Sequence, residues 1–298
     1  MEQKLWLAWR EYAFPGHAMS YVKRILARGA NVPAVRKLWN AAAHLPFVGN
    51  ALHGIARRIL PPGQRVWVSV RYSEFSRASV WHTVEPRYEG GHYGTHEPSI
   101  QKFLVAHLKP GNCFYDIGAH TGFFSVLAAV LVGSDGSVVA VEPDRRNASL
   151  LRETVARNSL GPNVAVVEQA LSSFEGASKF VSAVSGPNSN TGMSKVVRHD
   201  LPGSYEVSCT TMDRLAEAFT APNVIKMDVE GAESEVLKGA GRIFESVRPL
   251  LICEIHDEAN AQFAWQWLQD RGYGCVWLEK ESGFPRHLLA SPKESGAG

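Results

Sequence analysis

Cysteine is scarce in this 298-residue sequence, and no apolar run is long enough to cross a bilayer. The four cysteines, Cys113, Cys209, Cys253 and Cys275, form no C-x-x-C pair and have no histidine at zinc-finger spacing. They read as reduced core thiols, which excludes a disulfide scaffold and a structural zinc site. The longest strongly apolar stretch, Phe123 to Val132, is half the roughly 20 residues a spanning helix needs. The opening MEQKLWLAWREYAF lacks the unbroken apolar core and small-residue cleavage site of a secretory signal, so a cytoplasmic protein is expected. Net charge is also slight, at +2, but it is unevenly spread. Residues 1–60 hold nine Lys/Arg against Glu2 and Glu11, a balance of +7, which leaves −5 for the rest.

What is present suffices for a full core. Hydrophobic residues make up 45% of the chain and charged residues 20%, which excludes disorder and coiled coil. Residues 1–62 read as a basic extension of short helices broken at Pro15–Gly16, Pro33, Pro46 and Pro61–Pro62. Its aromatic and basic residues suit either a packed helical cap or a membrane surface or acidic partner. Residues 63–298 read as the main domain. A strand is expected over 64–72, a Gly- and His-rich loop over 85–97 and an amphipathic helix over 98–108. From residue 112 strands alternate with helices. Strands fall at 113–118, 137–142, 164–169, 223–228, 249–256 and 273–278. Helices fall at 121–132, 145–158, 211–219, 232–239 and 260–271. Such alternation builds an α/β fold, a parallel sheet covered on both faces. An insertion at 172–210 carries two or three further β-like pieces around the loop SGPNSNTGMS.

Ligands of such sheets bind at the carboxyl ends of the strands, so the residues leaving each strand carry the chemistry. The first strand exits through Asp116-Ile-Gly118-Ala119-His120-Thr121-Gly122 into a helix. The second ends in Val-Glu142-Pro143-Asp144, where a carboxylate matches the vicinal diol of a ribose. A nicotinamide-binding fold would use G-x-G-x-x-G to hold a pyrophosphate. This chain has G-x-x-x-G with Asp116 beside it, an anion that repels phosphate and suits an ammonium. That combination points to S-adenosylmethionine.

These segments, FYDIGAHTGFFS, VVAVEPD, QALS, VIKMDVEGAESEVLKGA and LICEIHDE, occur in the order found in the FkbM methyltransferases, which the sequence resembles over roughly residues 92–275. The resemblance implies a class I, Rossmann-like fold with a seven-stranded, mostly parallel sheet whose last strand is reversed. It implies an S-adenosylmethionine-dependent O-methyltransferase acting on a small polyhydroxylated acceptor, a sugar, glycan or natural product. By the family motif Asp116, Gly118, Ala119, His120 and Gly122 surround the methionine part of the cofactor. Glu142, followed by Pro143, holds the ribose, and Gln169 and Ala170 border the adenine. His120–Thr121 departs from the commoner Asn-apolar pair. The insertion at 172–210 is expected over the acceptor.

In VIKMD the period of two puts Lys226 and Asp228 on one face, and Glu254 and His256 share a face of the next strand. A buried lysine needs a partner, and Glu254 is the expected one. Glu230 and Glu233 read as acidic groups favoured at a helix start. An acceptor hydroxyl needs a base, for which His256 and Asp228 are the candidates, Asp228 also lying near the cofactor edge. Asp228, Glu254 and His256 fit a metal site only loosely, and none is assigned. His92, His96 and Glu97 are placed beside the acceptor. A nucleic-acid methyltransferase is disfavoured by Asp228-Val-Glu-Gly, which lacks the prolines of a base-methylating turn, and by the −5 charge. The non-enzyme alternative is an adapter acting through the basic amino-terminal arm. The sequence fixes neither the acceptor nor the oligomeric state.

Overall fold

A computed structural model describes residues 65–75, 79–84, 94, 96–182, 195–197, 201–279 and 283–293. The basic segment 1–62, His92 and the loop at 185–194 lie outside the described residues. The chain divides into two compact units, residues 1–70 with 83–94, and residues 71–82 with 95–298. Strands β1 (Val66–Arg71) and β2 (Ser79–Val84) precede the main sheet, and the division runs through both.

The second unit is built on β3 (Cys113–Ile117), β4 (Ser137–Val141), β5 (Val164–Val167), β10 (Val224–Met227), β11 (Leu250–Ile255), β12 (Tyr273–Trp277) and β13 (Arg286–Pro292). They form one seven-stranded sheet in the order β12-β13-β11-β10-β3-β4-β5. β13 runs antiparallel to β11 and β12, while β5, β4, β3, β10 and β11 pair in parallel. This is the class I methyltransferase order, with its reversed strand. The middle strands read as unbroken apolar runs because helices cover both faces. Every residue of β3 and β10 is buried, Asp116 and Lys226 included.

Alternation along the strands divides the core in two. Phe114, Val138, Ala140, Val224 and Ile252 face α1 (Pro98–His107), α2 (Phe123–Val132) and α3 (Arg145–Arg157). Tyr115, Val139, Ile225, Leu251 and Cys253 face α4 (Met212–Ala218), α5 (Glu233–Lys238), α6 (Glu258–Gln269) and a π-helical turn at Ile243–Val247. Full burial of one such side chain contributes about 1.5–3 kcal/mol. Helix starts follow local chemistry: Asp144 accepts from the amides of Arg146 and Asn147 at 2.8 and 3.2 Å, and Thr211 and Asp257 cap α4 and α6 in the same way.

One feature differs from the sequence reading. The strand over 273–278 does not end the sheet. RHLLASP forms β13 and inserts between β12 and β11, with Leu288 and Ala290 buried on one face. The 170–210 region is a sheet of its own, with β6 (Ala170–Leu171), β7 (Gly176–Val181), β8 (Lys195–Val197) and β9 (Tyr205–Thr210) in the order β6-β9-β7-β8. Ala170, Phe180, Val207 and Cys209 make its small core. All four cysteines are free, three of them buried. No helix among the described residues is long and apolar enough to cross a membrane.

Candidate active site

The exits of β3, β4, β10 and β11 lie side by side, since the register sets Asp116 opposite both Ala140 and Lys226, and Lys226 opposite Ile252. The turn after β3 has three left-handed residues in five: Gly118 at φ 75°, His120 at 50° and Gly122 at 90°. Gly118 is required here. A Cβ on it would stand 1.7 Å from the backbone oxygen of Asp228. The turn is therefore pressed against the exit of β10, and its own backbone lines the space above the sheet. The amides of Gly118 and Ala119 both donate to the Val141 carbonyl at 3.0 Å. Gly122 starts α2 without a side-chain cap.

Glu142 closes the other side of the turn. Its Oε2 accepts from the His120 amide at 2.8 Å and its Oε1 from the Asp144 amide at 2.9 Å. The Asn147 side chain also donates towards this carboxylate. Burial pushes the Glu142 carboxyl up to about 7, against the two amide donors that favour its charge. Pro143 and Gln169 are half-buried, and Ala170 pairs with Cys209 in the second sheet.

Lys226 organises the floor. It is 4% exposed, and its Nζ donates to the Gly118 carbonyl at 3.2 Å and to Asp228 Oδ2 at 3.5 Å. Asp116 Oδ1 is 3.7 Å away, and the Phe124 ring centroid 5.6 Å. Burial alone would lower the ammonium, but the Asp228 and Asp116 carboxylates outweigh it and raise its pKa. The expected pair with Glu254 is not made among the described residues. Ile252, not Glu254, stands opposite Lys226 on β11, whereas Asp116 stands opposite it on β3. Asp116 itself is 1% exposed and takes a 2.5 Å hydrogen bond from Ser125 Oγ. Burial raises its carboxyl, with Lys226 and Ser125 opposing. Its carboxylate is thus buried at the end of β3, between Lys226 and Ser125.

His256 is also differently placed from its reading as a base. Its Nδ1 is 2.7 Å from Glu233 Oε1 and its Nε2 is 3.1 Å from Glu230 Oε2. Burial works to lower its pKa, but hydrogen bonds to the two glutamates overcome this and hold it at about 10. Both nitrogens donate, so the ring is a cation at neutral pH and has no lone pair for a proton. Glu230 and Glu233 are therefore not simply favourable charges at a helix start. Glu233 is fully buried, accepts from the Gly231 amide at 3.0 Å and fixes the ring.

Two further carboxylates lie beside His256. Asp228 Oδ1 is buried, has no hydrogen-bond partner among the described residues and lies 3.8 Å from His256 Nε2. Glu254, half-buried next to it, is raised by burial and then by the charges of Asp228 and Glu97. Sequence reasoning set His96 and Glu97 near the acceptor and missed His287. The structure brings Glu97 and His287 into one cluster with Glu254, and His96 Nε2 lies 2.7 Å from Glu97 Oε1. The only signal for His287 was the alternation in RHLLASP.

This arrangement has relatives. Hexuronic acid methyltransferase AglP of Haloferax volcanii is 29% identical over 163 residues, which cover 54% of this chain and 62% of AglP. The chain thus spans under two thirds of that relative's length. Among solved structures, the methyltransferase FkbM of Methylobacillus flagellatus KT is 14% identical with a TM-score of 0.46, over 85% of this chain and 60% of that one. Aeropyrum pernix fibrillarin, in complex with S-adenosyl-L-methionine, is 10% identical with a TM-score of 0.44, over 78% of this chain and 84% of that one. A family model described as the methyltransferase FkbM domain matches residues 116–275, more than half of the sequence and every strand exit described above. The chain belongs to the FkbM methyltransferase family.

Proposed function

We propose that the protein is an S-adenosylmethionine-dependent O-methyltransferase whose acceptor is a hydroxyl of a sugar, with hexuronic acids the first class to test. The observation that carries the reading is the pairing of a glycine turn, where no side chain fits at Gly118, with buried Glu142 on one side and, on the other, Asp228 Oδ1, which has no hydrogen-bond partner among the described residues. The residues present fit the cofactor. Gly118 and His120, the accessible residues of the turn, would face its methionine part, Glu142 would take the ribose diol, and Gln169 and Ala170 would border the adenine. When bound, S-adenosylmethionine supplies a methyl group on a sulfonium, already a good leaving group. The chain's own task is to hold the acceptor oxygen in line and take its proton. Asp228 Oδ1 receives that proton, while Lys226 and His256 hold the carboxylate in place from two sides. Support for a uronic acid acceptor comes from the name of the Haloferax relative.

Methyl transfer is measured with the purified chain, labelled S-adenosylmethionine and a panel of hexuronic acids and neutral hexoses. A methylated sugar is the expected product. Asp228→Asn lowers turnover by about 10²–10⁴-fold, the usual contribution of a positioned base. Turnover within a few-fold of the parent would remove Asp228 from that role.

Glu142 adds a pH dependence. A carboxyl with a pKa of about 7 passes from about one tenth to about nine tenths ionised between pH 6 and pH 8. Only the ionised form accepts both ribose hydroxyls, so S-adenosylhomocysteine affinity rises about tenfold across that interval. Asp144 and Tyr205 are the titratable groups facing Glu142. The Tyr205 hydroxyl is raised, by burial first and then by Asp144, and stays neutral there. In Glu142→Gln the profile is flat, and a flat profile in the parent would contradict the assignment.

A further inference from the structure

We infer that Glu97, Glu254 and His287 form a binding site for a divalent first-row cation, beside the acceptor side of the strand exits. Glu254 and His287 are cross-strand partners in the β11–β13 ladder, so their side chains leave the same face at neighbouring positions. Glu97 reaches them from the start of α1, where its backbone is left-handed at φ 42°. One oxygen or nitrogen from each of the three lies within 4.8 Å of the others. Donors ligating at about 2.0–2.2 Å stand closer together than that, so loading tightens the cluster.

The independent sign of a ligand is the imidazole. His287 is 9% exposed, and its Nδ1 is 2.6 Å from Glu279 Oε1, which also accepts from the His287 amide at 2.7 Å. With Nδ1 engaged by that carboxylate, Nε2 is the nitrogen left to ligate an ion. That atom is buried, has no hydrogen-bond partner among the described residues and is aimed at Glu97 Oε2, 3.8 Å away. Glu97 Oε2 is likewise buried without a partner there, while its Oε1 is taken by His96. A carboxylate behind a histidine whose far nitrogen is open is the arrangement that orients metal-ligating imidazoles. Two carboxylates and one imidazole suit Mn²⁺, Fe²⁺ or Zn²⁺.

The neighbouring trio of Asp228, Glu254 and His256 has equally close atoms but does not qualify. Both nitrogens of His256 donate to glutamates, so it offers no lone pair. The metal therefore belongs on the outer side of Glu254, towards β13. A role of the ion towards the acceptor rests on the reading proposed above, whereas binding of the ion does not.

The test uses the full chain, stripped with a chelator and titrated with Mn²⁺ alone, with free Mn²⁺ read by electron paramagnetic resonance. One ion per chain at micromolar affinity is expected. His287→Ala and Glu97→Gln should each weaken it at least tenfold while S-adenosylhomocysteine binding persists. Glu97→Gln keeps the side-chain size, so it decides the matter if His287→Ala does not fold. Absence of stoichiometric Mn²⁺ binding, or binding unchanged in Glu97→Gln, would overturn the site. Loss of S-adenosylhomocysteine binding with Mn²⁺ still bound would bear only on the methyltransferase reading.

Discussion

Gly118→Ala is expected to cost the protein more stability than any other single methyl added at the strand exits. The new Cβ would lie 1.7 Å from the Asp228 carbonyl oxygen and 2.9 Å from its carbon. Both are backbone atoms, so no rotamer change relieves the overlap. The β3 turn and the β10 exit must separate, which also stretches the bond from Lys226 Nζ to the Gly118 carbonyl. A left-handed non-glycine residue costs about 1–3 kcal/mol, and overpacking adds about as much again. Gly111→Ala is the control. It has φ 85° and nothing within 4 Å of its added Cβ, so it shows the backbone cost alone. Denaturant unfolding of both variants checks this: Gly118→Ala should lose at least twice what Gly111→Ala loses. Equal losses would mean that the turn does not press on β10.

Lys226→Met should destabilise by about 3–5 kcal/mol, the usual effect of leaving a buried charge without its partner. Asp116 is 1% exposed and would keep only the hydroxyl and backbone amide of Ser125. Asp228, a neighbour of the same ammonium, would lose its anchor as well. Asp116→Asn added to Lys226→Met removes the stranded charge and should recover most of the loss. Such a double-mutant cycle separates the ion pair from the packing of the lysine stem on Phe124. If the double variant is as unstable as Lys226→Met alone, the pair is not what Lys226 contributes.

The order of elements was legible because the central strands are apolar and short, with glycines and carboxylates at their exits. Asp116, Gly118, Glu142 and Asp228 could be singled out as strand exits without knowing any pairing. What failed were the statements that needed a register. Period two correctly set Lys226 and Glu254 on one side of the sheet, but only the β10–β11 alignment shows them two residues out of step. His256 looked like a base because its glutamates, Glu230 and Glu233, sit 26 and 23 residues away in sequence, just before and at the start of α5. The Glu97–Glu254–His287 cluster was harder still. Its members come from a helix start, a parallel strand and the reversed strand, and β13 carries too short an alternation to be recognised before its partner is known.

Calorimetric titration of the intact chain with S-adenosylhomocysteine at pH 8, alongside Glu142→Ala, tests the central claim most directly. Micromolar binding, about −8 kcal/mol, that Glu142→Ala abolishes is the result the account predicts. A folded parent protein that takes up no S-adenosylhomocysteine would contradict it, and the search for function would move to the basic residues 1–60.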